Sequence, residues 1–181
     1  MSSAEVVLDL VRSRPPTLGE GRLLCIDGPA GSGKTTLASQ VASAGGDAVV
    51  VHMDDLYEGW GGLAEVGAQL GTLLLPLAVG SSGSYRRWDW RLDGWAETVT
   101  IAPSSLLVLE GVGSGVSLFA ALTTVLAWVE VPPELRLERG VARDGPGVAE
   151  HWAQWTHDEQ AVFVRERTRE RADVVLDGRV P

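Results

Sequence analysis

The chain has 181 residues, 45% of them hydrophobic and 22% charged, with a formal net charge of −9. That length suits one domain with a substantial core, and the acidity argues against an extended basic face for nucleic acid while leaving room for one phosphorylated small molecule in a locally positive pocket. No apolar run reaches bilayer length, and the opening "MSSAEVVLDLVRSRPP" lacks the basic-then-apolar pattern of a signal peptide, so the reading is a cytoplasmic protein with no membrane and no nucleic-acid partner.

In chain order, Val6, Val7, Leu10 and Val11 fit a short amphipathic helix that stops at Pro15 and Pro16. "RLLCID" at 22–27 is a buried parallel strand ending in Gly-Pro. The lone Cys25 lies within it, can form no intramolecular disulfide, and reads as a buried strand residue. A helix is predicted over 34–44, closed by Gly45 and Gly46, and a second strand in "DAVVVHM". One helix is expected near 63–75, followed by the Trp-rich "GSYRRWDWRLDGW" and a strand-like "ETVTIAP". Further strands are read at 105–111 and 123–131. Pro132 and Pro133 open the helix "ELRLERGVARD", "DGPG" breaks it, and a long helix over 148–171 leads into a last strand, "ADVVLDG". Strands alternating with helices imply a parallel sheet covered on both faces. The domain is read as one unit over 1–181, with 1–21 as an N-terminal helical extension.

"GPAGSGKT" matches G-x-x-x-x-G-K-[ST] in full and lies between an apolar strand and a helix, the context that this phosphate-loop motif requires. Gly28, Pro29, Ala30, Gly31, Ser32 and Gly33 allow successive backbone N–H groups to turn around phosphate oxygens, and the helix N-terminus beginning with Lys34, Thr35 and Thr36 adds a positive dipole end. Lys34 is the only lysine beside fourteen arginines. It supplies a compact charge for the outer phosphates, a role that a planar guanidinium fills poorly. Thr35 offers a hydroxyl to Mg²⁺. A GTPase would need an Asn-Lys-x-Asp motif, and the chain contains no Asn.

"HMDDLY" sits just past the second strand, at the sheet edge where ligands bind in open α/β folds. Asp54 there is the candidate to accept a proton from an acceptor hydroxyl, with Tyr57 beside it on the substrate side. Glu110, at the end of "LLVLEG", is the candidate Mg²⁺ carboxylate. Arg136, Arg139 and Arg143 fall on one helical face and are read as a lid over the transferring phosphates. His52, His151 and His157 show no metal-ligand spacing and are assigned structural roles.

Together "GPAGSGKTT", "MDDLY", "LLVLEG", "RLERGVARD" and "ERADVVLDG" resemble the uridine kinase-like family of P-loop small-molecule kinases, in the family's order and over most of the chain from Arg22 onward. The resemblance implies a three-layer α/β/α P-loop NTPase fold with a five-stranded parallel sheet, ATP and Mg²⁺ as the donor pair, and transfer to a hydroxyl of a small-molecule acceptor. It matches Asp54 to the family's catalytic carboxylate and the three arginines to its lid, and sets 173–178 near the adenine. "RRWDW" stands where uridine kinases carry a Phe-Asp-His-Pro type motif. Simple alternation puts Tyr85, Arg87 and Asp89 on one face of that segment, with Arg86, Trp88 and Trp90 on the other. Arg87, Trp88 and Asp89 are therefore taken as candidate acceptor contacts, against the plainer reading of a twisted hairpin that plugs the core. Trp152 and Trp155 read as helix-packing residues. Two alternatives stay open: an ATP-binding module without transfer activity, and a nucleoside monophosphate kinase using Arg86, Arg87 and Arg91 for the acceptor phosphate.

Overall fold

β1 (Arg22–Asp27) has five of its six residues buried. It pairs in parallel with β5 (Leu106–Glu110) on one side and β6 (Val125–Glu130) on the other, and a strand so placed is apolar on both faces. β2 (Ala48–His52) pairs with the far side of β5, and β7 (Val174–Asp177) with the far side of β6. The result is a five-stranded parallel sheet of order β2-β5-β1-β6-β7. The computed structural model describes residues 1–145 and 147–179, so Pro146 of the "DGPG" break lies outside the described residues.

Successive residues of β1 serve opposite layers. Leu24 and Ile26 join Val108, Val125 and Ala127 in a core with α1 (Ser3–Ser13) and α2 (Lys34–Ala44). Leu23 and Cys25 join Leu107, Leu109 and Trp128 in a core with α3 (Val66–Ala78) and α5 (Val148–Glu166). This is the α/β/α sandwich that strand–helix alternation predicts. Burial pushes the Cys25 thiol up to about 12, so it packs as an apolar group. Among the described residues no helix is long and apolar enough to cross a membrane.

Local chemistry sets the element ends. In α1 a capping box closes the N-terminus: Glu5 N donates to Ser2 Oγ, and Ser2 N to Glu5 Oε2 at 2.7 Å. Ala4, Val7, Leu8 and Val11 are the buried stripe, and Val6 and Leu10 are half-buried at its margins. The helix expected near 63–75 is α3, three residues further along, and a 3-10 turn (Gly59–Glu65) leads into it. The long helix expected over 148–171 breaks after Glu166, where Arg167 takes a left-handed φ of +49°. A short α6 (Thr168–Arg171) then re-aims the chain into β7. Arg171 holds this corner through Nε to Glu166 O at 2.8 Å and through a hydrogen bond to Gly115 O.

The Trp-rich segment is a hairpin of β3 (Gly83–Asp89) and antiparallel β4 (Gly94–Ile101), outside the main sheet. Its register shifts between Arg86 and Trp88, and this overturns simple alternation. Tyr85 and Trp88, three apart, are both buried, because an extra residue in a ladder twists one strand against the other. Trp88 meets Trp95 edge-on at 5.0 Å, and Arg86 lies over Trp95. Gln69 on α3 pins the strand by bonding both the N–H and the C=O of Arg86.

Leu107 is 1% exposed and Leu92, at the hairpin tip, 80%. Leu107→Ala is expected to lower unfolding free energy by about 2–5 kcal/mol, and Leu92→Ala by less than about 0.5 kcal/mol. Urea denaturation of the two variants checks the contrast.

Candidate active site

Residues 28–35 run from the end of the central strand into α2. Two glycines are required by close approach as well as by φ. A Cβ on Gly28 (φ +138°) would lie 2.1 Å from Val129 O, and one on Gly31 (φ +76°) 2.4 Å from Arg136 O. α2 starts without a side-chain cap, so its first amides are left for an anion. Lys34 is 7% exposed and folds back to donate to Pro29 O at 2.9 Å. Burial lowers its ammonium pKa, and the negative charges of Glu110, Asp27, Glu159 and Asp54 oppose that.

Two buried carboxylates hold this loop in place. Asp27 accepts N–H bonds from Gly28 (2.7 Å), Gly113 (3.0 Å) and Gly115 (2.8 Å), tying the phosphate loop to the segment after β5. Desolvation nevertheless raises its pKa to about 6. Glu159 on α5 accepts from Ala30 N at 2.8 Å and pairs with Arg136 on α4 (Pro133–Asp144). Arg136 Nε in turn donates to Ala30 O at 2.9 Å. Sequence reasoning missed both acids. Asp27 was read only as the end of an apolar strand, and Glu159 had no motif to mark it.

Parallel register brings the remaining acids and hydroxyls to one edge: His52 and Ile26 both pair with Glu110. Thr35 Oγ1 donates to Glu110 Oε1 at 3.1 Å, and His52 Nδ1 lies 2.5 Å from the same oxygen. Among the described residues no cluster of three or more His, Cys, Asp or Glu could hold a metal. A hydroxyl and one carboxylate, both hard oxygen donors, are what Mg²⁺ takes from a protein when phosphates and water complete its shell. Thr35 and Glu110 fit that ion.

A cavity of about 1150 Å³ collects most of the predicted site. Ala30, Gly31, Gly33, Lys34, Thr35 and Thr36 line it, as do Asp54, Tyr57, Glu110, Arg139 and Arg143. Leu176, Asp177 and Gly178 line it from the predicted adenine side, whereas Asp173 is turned to Arg14 and Leu126. Arg139 Nη1 donates to Gly178 O at 3.2 Å. Arg136 is not among the lining residues. Although it shares a helical face with the other two arginines, its guanidinium is held by Glu159 and Ala30 and braces the phosphate loop from behind.

The acceptor contacts expected from "RRWDW" are also placed elsewhere. Asp89 Oδ1 accepts from Arg91 N (2.9 Å) and Leu92 N (3.1 Å), shaping the hairpin turn. Arg87 pairs with Glu97 at 2.7 Å, and Trp88 is buried against Trp95. None of the three lines the cavity. The residues that do line it from this side are Trp60, Trp90 and Arg91, with His151, Trp152 and Trp155 from α5. Trp90 Nε1 donates to Asp54 O at 2.9 Å, holding the turn against the carboxylate-bearing segment. The i, i+3 spacing of Trp152 and Trp155 did carry a signal, but packing and lining residues share that spacing.

No protein-family model matches the sequence, and no curated protein matches it. Solved structures do. One from Bacillus stearothermophilus, described as a possible uridine kinase, aligns with TM-score 0.67 and 22% identity over 96% of this chain and 97% of its own. A second, from Silicibacter sp. TM1040 and described as a fructose transport system kinase, aligns with TM-score 0.60 and 20% identity over 97% and 99%. The chain shares the fold of these two structures. Both alignments run nearly end to end, so the resemblance drawn from five short motifs extends to the whole topology.

Three variants test the carboxylates behind the loop. Because the folded pKa of Asp27, about 6, lies above the ordinary value, its proton is held more tightly in the folded protein. Its contribution to stability is full below about pH 4 and is lost as pH rises through about 6. Denaturant titrations should therefore show wild type losing about 1 kcal/mol from this group between pH 5 and pH 7, and Asp27→Asn lacking that increment. Arg136→Ala leaves Glu159 buried without its partner and is expected to destabilise by about 3–5 kcal/mol. Adding Glu159→Gln should recover part of that loss in the same assay.

Proposed function

We propose that the chain is an ATP- and Mg²⁺-dependent kinase that phosphorylates a hydroxyl group of a small metabolite. The observation that carries this reading is convergence on one cavity. The phosphate loop, the Thr35–Glu110 oxygen pair, Asp54, and the guanidinium-bearing Arg139 and Arg143 all line the same space. A site that only stored nucleotide would have no use for a carboxylate on the acceptor side.

In this reading the loop amides and Lys34 hold the β- and γ-phosphates, and Thr35 and Glu110 hold Mg²⁺. The metal, when bound, supplies charge neutralisation at the phosphate oxygens. The phosphoryl group passes from ATP to the acceptor oxygen, whose proton goes to Asp54. Arg139 and Arg143 face the negative charge on the transferring group, where fixed cations are most effective. Lys34, bonded to Pro29 O, exchanges that carbonyl for phosphate when nucleotide enters. Of the three arginines considered for a phosphorylated acceptor, Arg91 alone lines the cavity, which favours an unphosphorylated one.

Asp54→Asn is expected to lower acceptor-dependent ADP release by about 10²–10⁴-fold, while leaving affinity for a non-hydrolysable ATP analogue nearly unchanged. Coupled-enzyme kinetics and calorimetry measure the two quantities. Wild-type turnover in this variant would remove Asp54 from the mechanism. ATP binding without ADP release across a broad panel of alcohols would favour an inactive module.

A further inference from the structure

Glu110 stands at the end of β5, 5% exposed, and its side-chain hydrogen bonds among the described residues all enter one oxygen. Thr35 Oγ1 reaches Oε1 at 3.1 Å, and His52 Nδ1 lies 2.5 Å from the same atom. A carboxylate can only accept, so the imidazole carries its hydrogen on Nδ1 and donates. Among the described residues Oε2 has no partner, yet it is not sealed in: the buried side-chain atoms without one belong to Ser32, Trp88, Ser114 and Thr168. One oxygen of Glu110 is thus fixed twice, and the other is open in a cavity that Glu110 and Thr35 both line.

The two donors are not equivalent. The Thr35 hydroxyl is itself one of the oxygens that fit Mg²⁺, so it is no independent support for the other. His52 is not a ligand. Its Nδ1 is engaged with Glu110, Mg²⁺ takes hard oxygen donors, and among the described residues no cluster of three or more His, Cys, Asp or Glu could hold a metal. The sheet places its ring instead. β2 and β5 pair in parallel with His52 opposite Glu110, and side chains at one register position stand on the same face of a sheet, about 4.8 Å apart. A glutamate has three side-chain torsions, and fixing them before the ion arrives removes that entropic cost from binding. Stability does not account for the contact, because the His52 side chain is 47% exposed and charged pairs so open to water contribute little to folding.

Resting on the kinase reading above, we propose that His52 is a positioning residue for the Mg²⁺ carboxylate. Its Nδ1–H holds Oε1 of Glu110 and leaves Oε2 presented for the ion that accompanies the nucleotide. The sequence spacing of His52 marks no metal ligand, and this role requires none.

Calorimetry on the full chain at fixed pH, with a non-hydrolysable ATP analogue in Mg²⁺ and again in EDTA, isolates the metal's contribution as the ratio of the two dissociation constants. His52→Ala is expected to lower that ratio by about tenfold while leaving the constant in EDTA unchanged. His52→Asn, which keeps an N–H donor near the Nδ1 position, should restore most of it. In a Glu110→Gln background His52→Ala should have no further effect, because the histidine acts only through that carboxylate. An unchanged ratio in His52→Ala overturns the proposal, as does an Asn variant as low as the Ala variant. Equal losses with and without Mg²⁺, or an undiminished effect in Glu110→Gln, overturn it too. The kinase reading fails separately. No Mg²⁺-dependent gain in wild type would remove the metal site on which both rest, whereas a wild-type gain that His52→Ala keeps would remove the role of His52 alone. Loss of the ratio in His52→Ala, with no ADP release for any alcohol, would leave the positioning role standing in a site that does not transfer.

Discussion

Ala30 has both of its backbone polar groups held by side chains from the layer above the sheet. Its N–H goes to Glu159 on α5 and its C=O receives Arg136 from α4, and those two side chains are paired with each other. A phosphate loop must leave its amides unsatisfied in order to bind anions, which makes it expensive to hold in one shape. Here the loop is held in part through Ala30, whose N–H and C=O are both bonded to side chains of the helices above it. Because Arg136 and Glu159 sit on consecutive helices, the same interaction fixes the direction in which α4 leaves the sheet. It thereby sets where Arg139 and Arg143 stand over the cavity. α4, α5 and residues 28–35 are thus joined at Ala30.

Asp27 does the corresponding work on the sheet side. Three backbone N–H groups compensate a carboxylate that is fully out of water, yet desolvation still keeps its pKa near 6. An asparagine could not substitute cleanly, since one of its two polar atoms would present hydrogens to a donor. Between them, these two acids hold residues 28–35 through the N–H groups of Gly28 and Ala30.

The sheet and the phosphate loop were legible in the sequence because local signals decide them. An apolar run buried on both faces, a glycine-rich turn and a helix start leave little choice of arrangement, and 22–44 came out as read. The positions of Glu110 at the end of β5 and of Asp54 just past β2 followed from the same logic. What was not legible depends on partners far along the chain. Arg136, Arg139 and Arg143 share one helical face, but only contact with Glu159 and Ala30 separates the brace from the two lining residues. Alternation along β3 failed because a register shift belongs to the pair of strands, not to either one. Asp89 was taken for a substrate contact because its role in the turn needs the N–H groups of Arg91 and Leu92, and a turn position was not assigned there.

The aromatic wall illustrates the same limit from the other side. Tyr57 and Trp60 come from the segment after β2, Trp90 from a hairpin turn, and His151, Trp152 and Trp155 from α5. Each group has an ordinary packing explanation when taken alone, and only the fold brings them round one carboxylate. The two solved structures align over nearly all of this chain at 20–22% identity, so the scaffold is shared although most side chains differ. The wall is not independent of the brace behind the loop: α5 carries Glu159 as well as His151, Trp152 and Trp155, and the Arg136 guanidinium lies over the Trp152 ring at 5.9 Å. A change at Trp152 therefore reaches Arg136 and, through Glu159, the segment held at Ala30.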